Sequence, residues 1–204
     1  LPFGSALFAH DVSEAWPTVA AEVERYVKEG KVANMLATFG WRQDDHAHSI
    51  ARGTLALGGN TPANMDSLYR IYSMTKPVTG MMAMQLVSEG KLGLDQPLAD
   101  ILPAFANMQV QKEYDGAITP DNLEPAANPI TIRQLLTHTA GLGYQIIQQG
   151  AIKDEYDRLG LIPGQVSRMP IPGAGSAAPI ASLEAFADTL ATVPLVYQPG
   201  TKWS

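Results

Sequence analysis

The sequence predicts a mixed α and β fold, and three stretches carry that prediction. Residues 12–28 place Val19, Ala20, Val23, Tyr26 and Val27 at helical spacing among acidic and basic residues, the pattern of an amphipathic helix. Residues 32–42 and 49–57 read as two strands joined by a polar turn at 43–48, an antiparallel hairpin. Further on, Met74, Val78, Met81, Met82, Met84, Leu86 and Val87 make a segment apolar on more than one side. A helix of that kind belongs in a core, out of reach of water.

Composition bounds the rest. The chain has 204 residues, 46% hydrophobic and 17% charged, enough to bury a sizeable core as one domain or two lobes. A net charge of −6 without basic clusters argues against nucleic-acid or anionic-membrane partners. There are no cysteines, so disulfides, thiolate nucleophiles and Cys-ligated metals are excluded. No apolar run has the length of a membrane span. The start, Leu1-Pro2-Phe3-Gly4, lacks Met and a charged region, so any signal peptide is expected to have gone already or never to have existed. Localisation stays open between the cytoplasm and the periplasm of a bacterium.

Taken in order, the first helix ends at Gly30. The turn Asp44-Asp45-His46-Ala47-His48 invites a metal, but hairpin turns favour Asp on conformational grounds and no third histidine is near, so a solvated turn is expected. Residues 58–67, with Gly, Pro and Asn, cross to the aromatic run 68–72. Residues 95–101 predict a turn and short helix, and 112–129 a surface loop. Thr131 is a candidate N-cap for a short helix that turns Ile132, Leu135 and Leu136 inward. His138 follows in a turn, where its ring nitrogens are expected to satisfy backbone groups. Residues 143–179 are the least regular region and read as loop. Ser176 lacks the Gly-x-Ser-x-Gly context of a hydrolase elbow, since position 174 is Ala. Ser182 caps a last helix carrying Leu183, Phe186 and Leu190, with Glu184 in its first turn.

The chemistry concentrates at Ser73 and Lys76. Residues three apart on a helix share a face, and Pro77, which lacks an N–H, fits the opening turn. A serine hydroxyl needs a neighbouring base to become a good nucleophile. Lysine serves as that base when burial disfavours its charged form. The helix N-terminus adds amide donors suited to an oxyanion. A helix cap at Ser73 with a surface Lys76 is an equally open reading of position alone. A second Ser-x-x-Lys, Ser88 to Lys91, falls at the wrong end of the helix dipole beside Gly90 and reads as structural.

Four stretches, in order, shift that balance. Ser73-Met74-Thr75-Lys76-Pro77-Val78-Thr79-Gly80 resembles the nucleophile motif of the serine β-lactamase-related superfamily, which includes class C β-lactamases, D-Ala-D-Ala carboxypeptidases, carboxylesterases of family VIII and acyltransferases. Residues 89–98 resemble the segment that follows it. Residues 130–142, with Leu135-Leu136-Thr137-His138-Thr139-Ala140-Gly141-Leu142, resemble a signature of the class C-like branch, and Pro199-Gly200-Thr201-Lys202-Trp203-Ser204 the turn before its catalytic tyrosine. The resemblance implies an α+β, β-lactamase/transpeptidase-like fold. Residues 1–67 would begin an antiparallel sheet lobe flanked by helices, and 68–204 would form a mainly helical lobe. It further implies that sequence beyond Ser204, the C-terminal remainder of the same polypeptide, supplies the tyrosine and completes the sheet. This chain alone is then expected to be inactive.

The implied activity is that of a serine hydrolase acting on small-molecule carboxylic esters through an acyl-enzyme, with Ser73 as nucleophile and Lys76 as base and no metal or organic cofactor. Tyr72 and Tyr144 are expected at the substrate pocket, with Ile146 and Ile147 nearby; core packing is the competing reading for these side chains. β-Lactam hydrolysis or peptidase activity, acyl transfer, and a non-catalytic sensor that binds penicillin-like ligands are the alternatives.

Overall fold

The computed structural model describes residues 10–11, 13–40, 48–162 and 180–203. They fall into two compact units, Leu1–Arg70 and Ile71–Ser204.

In the first unit, helix α1 (Pro17–Lys28) opens with Pro at its first position, where the missing N–H costs nothing. It starts five residues later than its apolar pattern suggests, at Pro17. Val23, 3% exposed, is the residue it buries, and Gly30 leaves it with φ +67°. Strands β2 (Asn34–Phe39) and β3 (His48–Gly53) pair antiparallel, from Asn34↔Gly53 to Phe39↔His48. That is the expected hairpin. A short strand β1 (His10–Asp11) adds to β3 in parallel, giving the order β1-β3-β2; two residues carry no readable period. Ile50 on β3 is fully buried. Asp44, Asp45, His46 and the rest of the 41–47 turn lie outside the described residues. Among the described residues no group of three or more metal-ligating side chains comes together.

In the second unit, Tyr72–Met74 form a 3-10 turn that runs into helix α2 (Thr75–Ser88). Here the structure corrects the sequence. None of the side chains of α2 is buried: Met81 is 67% exposed, Met82 65% and Leu86 43%. A helix apolar all round needs neighbours on every side, and the two cores of this unit assemble elsewhere. One gathers Leu98, Phe105, Met108, Val110, Ile130, Ile132, Ala140 and Leu195. The other gathers Ile152, Tyr156, Leu161, Val193 and Val196.

Two further elements depart from expectation. The segment read as a surface loop contains strand β5 (Leu123–Pro125), which pairs antiparallel with β4 (Gln109–Gln111). Three-residue strands show no alternation, and the ladder is recognisable only once paired. Within the region read as loop, α4 (Gly150–Leu159) is a regular helix that buries Ile152 and Tyr156, one turn apart, and ends on Gly160 in the left-handed region. Ser176 and the Pro-Gly pairs at 163–164 and 172–173 lie outside the described residues.

The short helix α3 (Ile132–Leu136) has its expected cap. Thr131 accepts from Gln134 N–H and the Gln134 side chain accepts from Thr131 N–H, a reciprocal capping box. Helix α5 (Leu183–Leu190) starts from Ser182, whose hydroxyl accepts from Ala185 N–H at 3.1 Å. Ser88, the last residue of α2, donates to Gln85 C=O, and Lys91 pairs with Glu89, so the second Ser-x-x-Lys is spent on local structure.

Candidate active site

Ser73 sits in the 3-10 turn and Lys76 is the second residue of α2, and the turn runs on into the helix, so their three-residue spacing brings the two side chains together. Lys76 Nζ donates to Ser73 Oγ at 3.0 Å. The helix N-cap is Met74, without a side-chain bond; Ser73 does not cap it. Pro77 occupies the first turn of α2. Tyr72 has φ +44°, a left-handed conformation costly for a bulky residue and concentrated at functional sites.

Burial departs from expectation. Ser73 and Lys76 are both exposed, in keeping with the bare surface of α2. The burial expected for the pair does not come from the described residues, because the helix meant to supply it is itself uncovered.

A cavity of about 410 Å³ lies against Lys76. Its apolar wall is Leu135, Ala140, Leu142, Tyr144, Ile147 and Trp203, and its polar side carries Lys76, Gln134 and His138. Tyr144, expected at a substrate pocket, is one of the residues that line this cavity. Tyr72, 69% exposed, is not among the lining residues, and neither is Ile146, 70% exposed. These exposures also exclude core packing for both. Gln134 and Trp203 are lining residues that were not singled out. Both fall inside the quoted motifs, which was the available signal.

His138, with φ +56°, closes the turn after α3. Among the described residues its ring engages no hydrogen bond; it meets Trp203 edge-on instead, with centroids 6.1 Å apart. The expected backbone bonds are replaced by an aromatic contact, because the left-handed turn leaves the ring exposed beside the indole. The cavity wall is held to the core at Gly141, whose φ is +81°. Val196 N–H donates to Gly141 C=O, Gly200 N–H to Thr139 C=O, and a Cβ at Gly141 would stand 2.1 Å from Tyr197 O. Only glycine fits that approach.

Lys76, bonded to Ser73 at the head of α2, lines this cavity, and comparison gives the family. The chain belongs to the Beta-lactamase family, whose model matches residues 19–204. It is 34% identical over 178 residues to protein Rv1367c of Mycobacterium tuberculosis, covering 87% of this chain and 39% of that protein. It is 29% identical to esterase EstB of Burkholderia gladioli, covering 96% and 43%, and 32% identical to acyltransferase calJ of Penicillium decumbens, covering 72% and 30%. Among solved structures, EstCE1, a hydrolase with promiscuous acyltransferase activity, superposes with a TM-score of 0.66 at 25% identity, over 94% of this chain and 43% of that one. Simvastatin synthase from Aspergillus terreus, at 20% identity and a TM-score of 0.61, shows the fold alone. The fold is therefore β-lactamase/transpeptidase-like, and the chain spans about two fifths of the length of most of these relatives. Among the described residues no helix is long and apolar enough to cross a membrane.

Proposed function

We propose that this chain carries the nucleophile of a serine hydrolase that acts on small-molecule carboxylic esters through a covalent acyl-enzyme. The observation that carries the reading is the 3.0 Å contact between Lys76 Nζ and Ser73 Oγ at the start of α2, beside a largely apolar cavity. Ser73 Oγ attacks the ester carbonyl while its proton passes to Lys76 Nζ. Collapse of the tetrahedral intermediate expels the alcohol, which takes the proton from lysine. Water then adds to the acyl-enzyme carbonyl by the same route and releases the carboxylic acid and Ser73. Amide groups at the head of α2 suit the oxyanion.

Lysine must be neutral to accept the proton, which calls for cover over the exposed pair. Relatives more than twice this length include the esterase EstB, and we place the cover, a second base and the remaining oxyanion donor in a C-terminal remainder of the same polypeptide. Ester substrates are favoured because EstB and lovastatin esterase are among the relatives. Acyl transfer to an alcohol is the second reading, supported by the likeness to acyltransferase calJ.

The deciding experiment follows p-nitrophenyl acetate and butyrate turnover with and without an alcohol acceptor, alongside a chromogenic cephalosporin. Ester turnover lost in Ser73→Ala supports the hydrolase, and an alkyl ester product supports transfer. Faster cephalosporin hydrolysis would replace the esterase reading with a β-lactamase. A stable adduct without turnover would replace it with a sensor.

A further inference from the structure

One buried side chain backs the apolar wall of the cavity. Gln148 is 4% exposed. Its Oε1 accepts from Tyr144 N–H at 3.1 Å, on the segment that also places Ile147 in the wall. Its Nε2 donates to Tyr114 OH at 2.8 Å and to Asp115 Oδ1 at 3.1 Å. The amide orientation is fixed by chemistry, since an amide N–H needs the oxygen at Tyr144 and a carboxylate needs the NH₂.

Asp115 is itself committed: its other oxygen accepts from Gln149 N–H at the start of α4, and its backbone holds φ +56°. The Tyr114 ring stacks on Tyr197, with centroids 5.1 Å apart and planes 8° apart. Tyr197 is the residue whose carbonyl abuts Gly141, next to Ala140 and Leu142 of the apolar wall. The side chain therefore reaches the Tyr144 segment directly and, through the stacked pair, Tyr197 beside Gly141.

We propose that Gln148 is a positioning residue that sets the width of the acyl pocket, with Tyr114 and Asp115 as its anchors. It touches no substrate. Its effect on ester choice rests on the esterase reading above; the latch itself does not.

The test combines amide exchange with a substrate series in the whole protein, using Gln148→Leu, which removes both ends of the latch, and Tyr114→Phe, which removes one anchor with little change of shape. In both variants exchange in peptides spanning 144–149 should quicken, about tenfold for Gln148→Leu, while Gln111 and Leu195, bonded backbone to backbone, keep their protection. The ratio of kcat/KM for p-nitrophenyl butyrate over acetate should shift about three- to tenfold in the same direction in both, through KM. Unchanged exchange at 144–149 would overturn the latch. A parallel fall on every ester would overturn its role in specificity. Should Gln148→Leu fail to fold, Tyr114→Phe decides the question. A wild-type protein that cleaves no ester would sink the esterase reading while the exchange measurement still judges the latch.

Discussion

Lys76 donates to Ser73 across 3.0 Å while neither residue caps the helix they introduce. The pair is thus held by its own contact and by the strained Tyr72 turn, rather than by a need of the backbone, and substitutions there separate chemistry from folding. Ser73→Ala should abolish ester turnover in the whole protein. Lys76→Met should slow acylation by about three orders of magnitude. Both should leave Tm unchanged, as checked by burst-phase kinetics and thermal melts.

Gly141 and Gly90 share a positive φ but not their surroundings. At Gly141 a Cβ meets Tyr197 O at 2.1 Å, whereas at Gly90 it meets nothing within 4 Å. Gly90→Ala should cost about 1 kcal/mol, the intrinsic left-handed penalty. Gly141→Ala adds a backbone collision and should cost at least about 3 kcal/mol, read by urea unfolding. Equal losses would mean that the close approach carries no energy.

The capping box at α3 is worth about 1 kcal/mol. Thr131→Ala should lower stability by that amount, while Thr131→Ser, which keeps the hydroxyl, should recover most of it. The same denaturant titration reads both.

Tyr156, 2% exposed, donates to Gly143 O at 3.2 Å. Burial pushes its phenol up to about 12, against an unfolded value of about 10. The folded state holds that proton more tightly, so the contribution to stability is intact below about pH 10 and is lost as pH climbs toward 12. Tyr156→Phe should flatten the alkaline limb of the stability curve over that window. At neutral pH it should cost about 1 kcal/mol for the lost hydrogen bond. An alkaline limb identical to wild type would assign the loss to other tyrosines.

What could be read in advance follows the range over which each signal acts. The hairpin, the Thr131 and Ser182 caps and the Ser73–Lys76 spacing are local, each written within a few consecutive residues. The β4–β5 ladder, the parallel β1–β3 pair and the Gln148 latch join residues far apart in sequence, and no period marks them. Helix α4 was legible in principle from Ile152, Tyr156 and Gly160, but its Gly- and Pro-rich surroundings outweighed three positions. The exposure of α2 could not be read at all. Apolarity states what a helix needs around it; the neighbours decide whether the need is met.

The bareness of α2 has a chemical corollary. Met74, Met81, Met82 and Met84 are 64%, 67%, 65% and 46% exposed. Thioethers so presented take oxygen from peroxide, and each sulfoxide replaces a soft apolar side chain with a polar, chiral one. Ageing of the isolated chain would therefore be written on this helix in 16 Da steps of roughly one oxygen per methionine, eroding the greasy surface on which any covering layer must close.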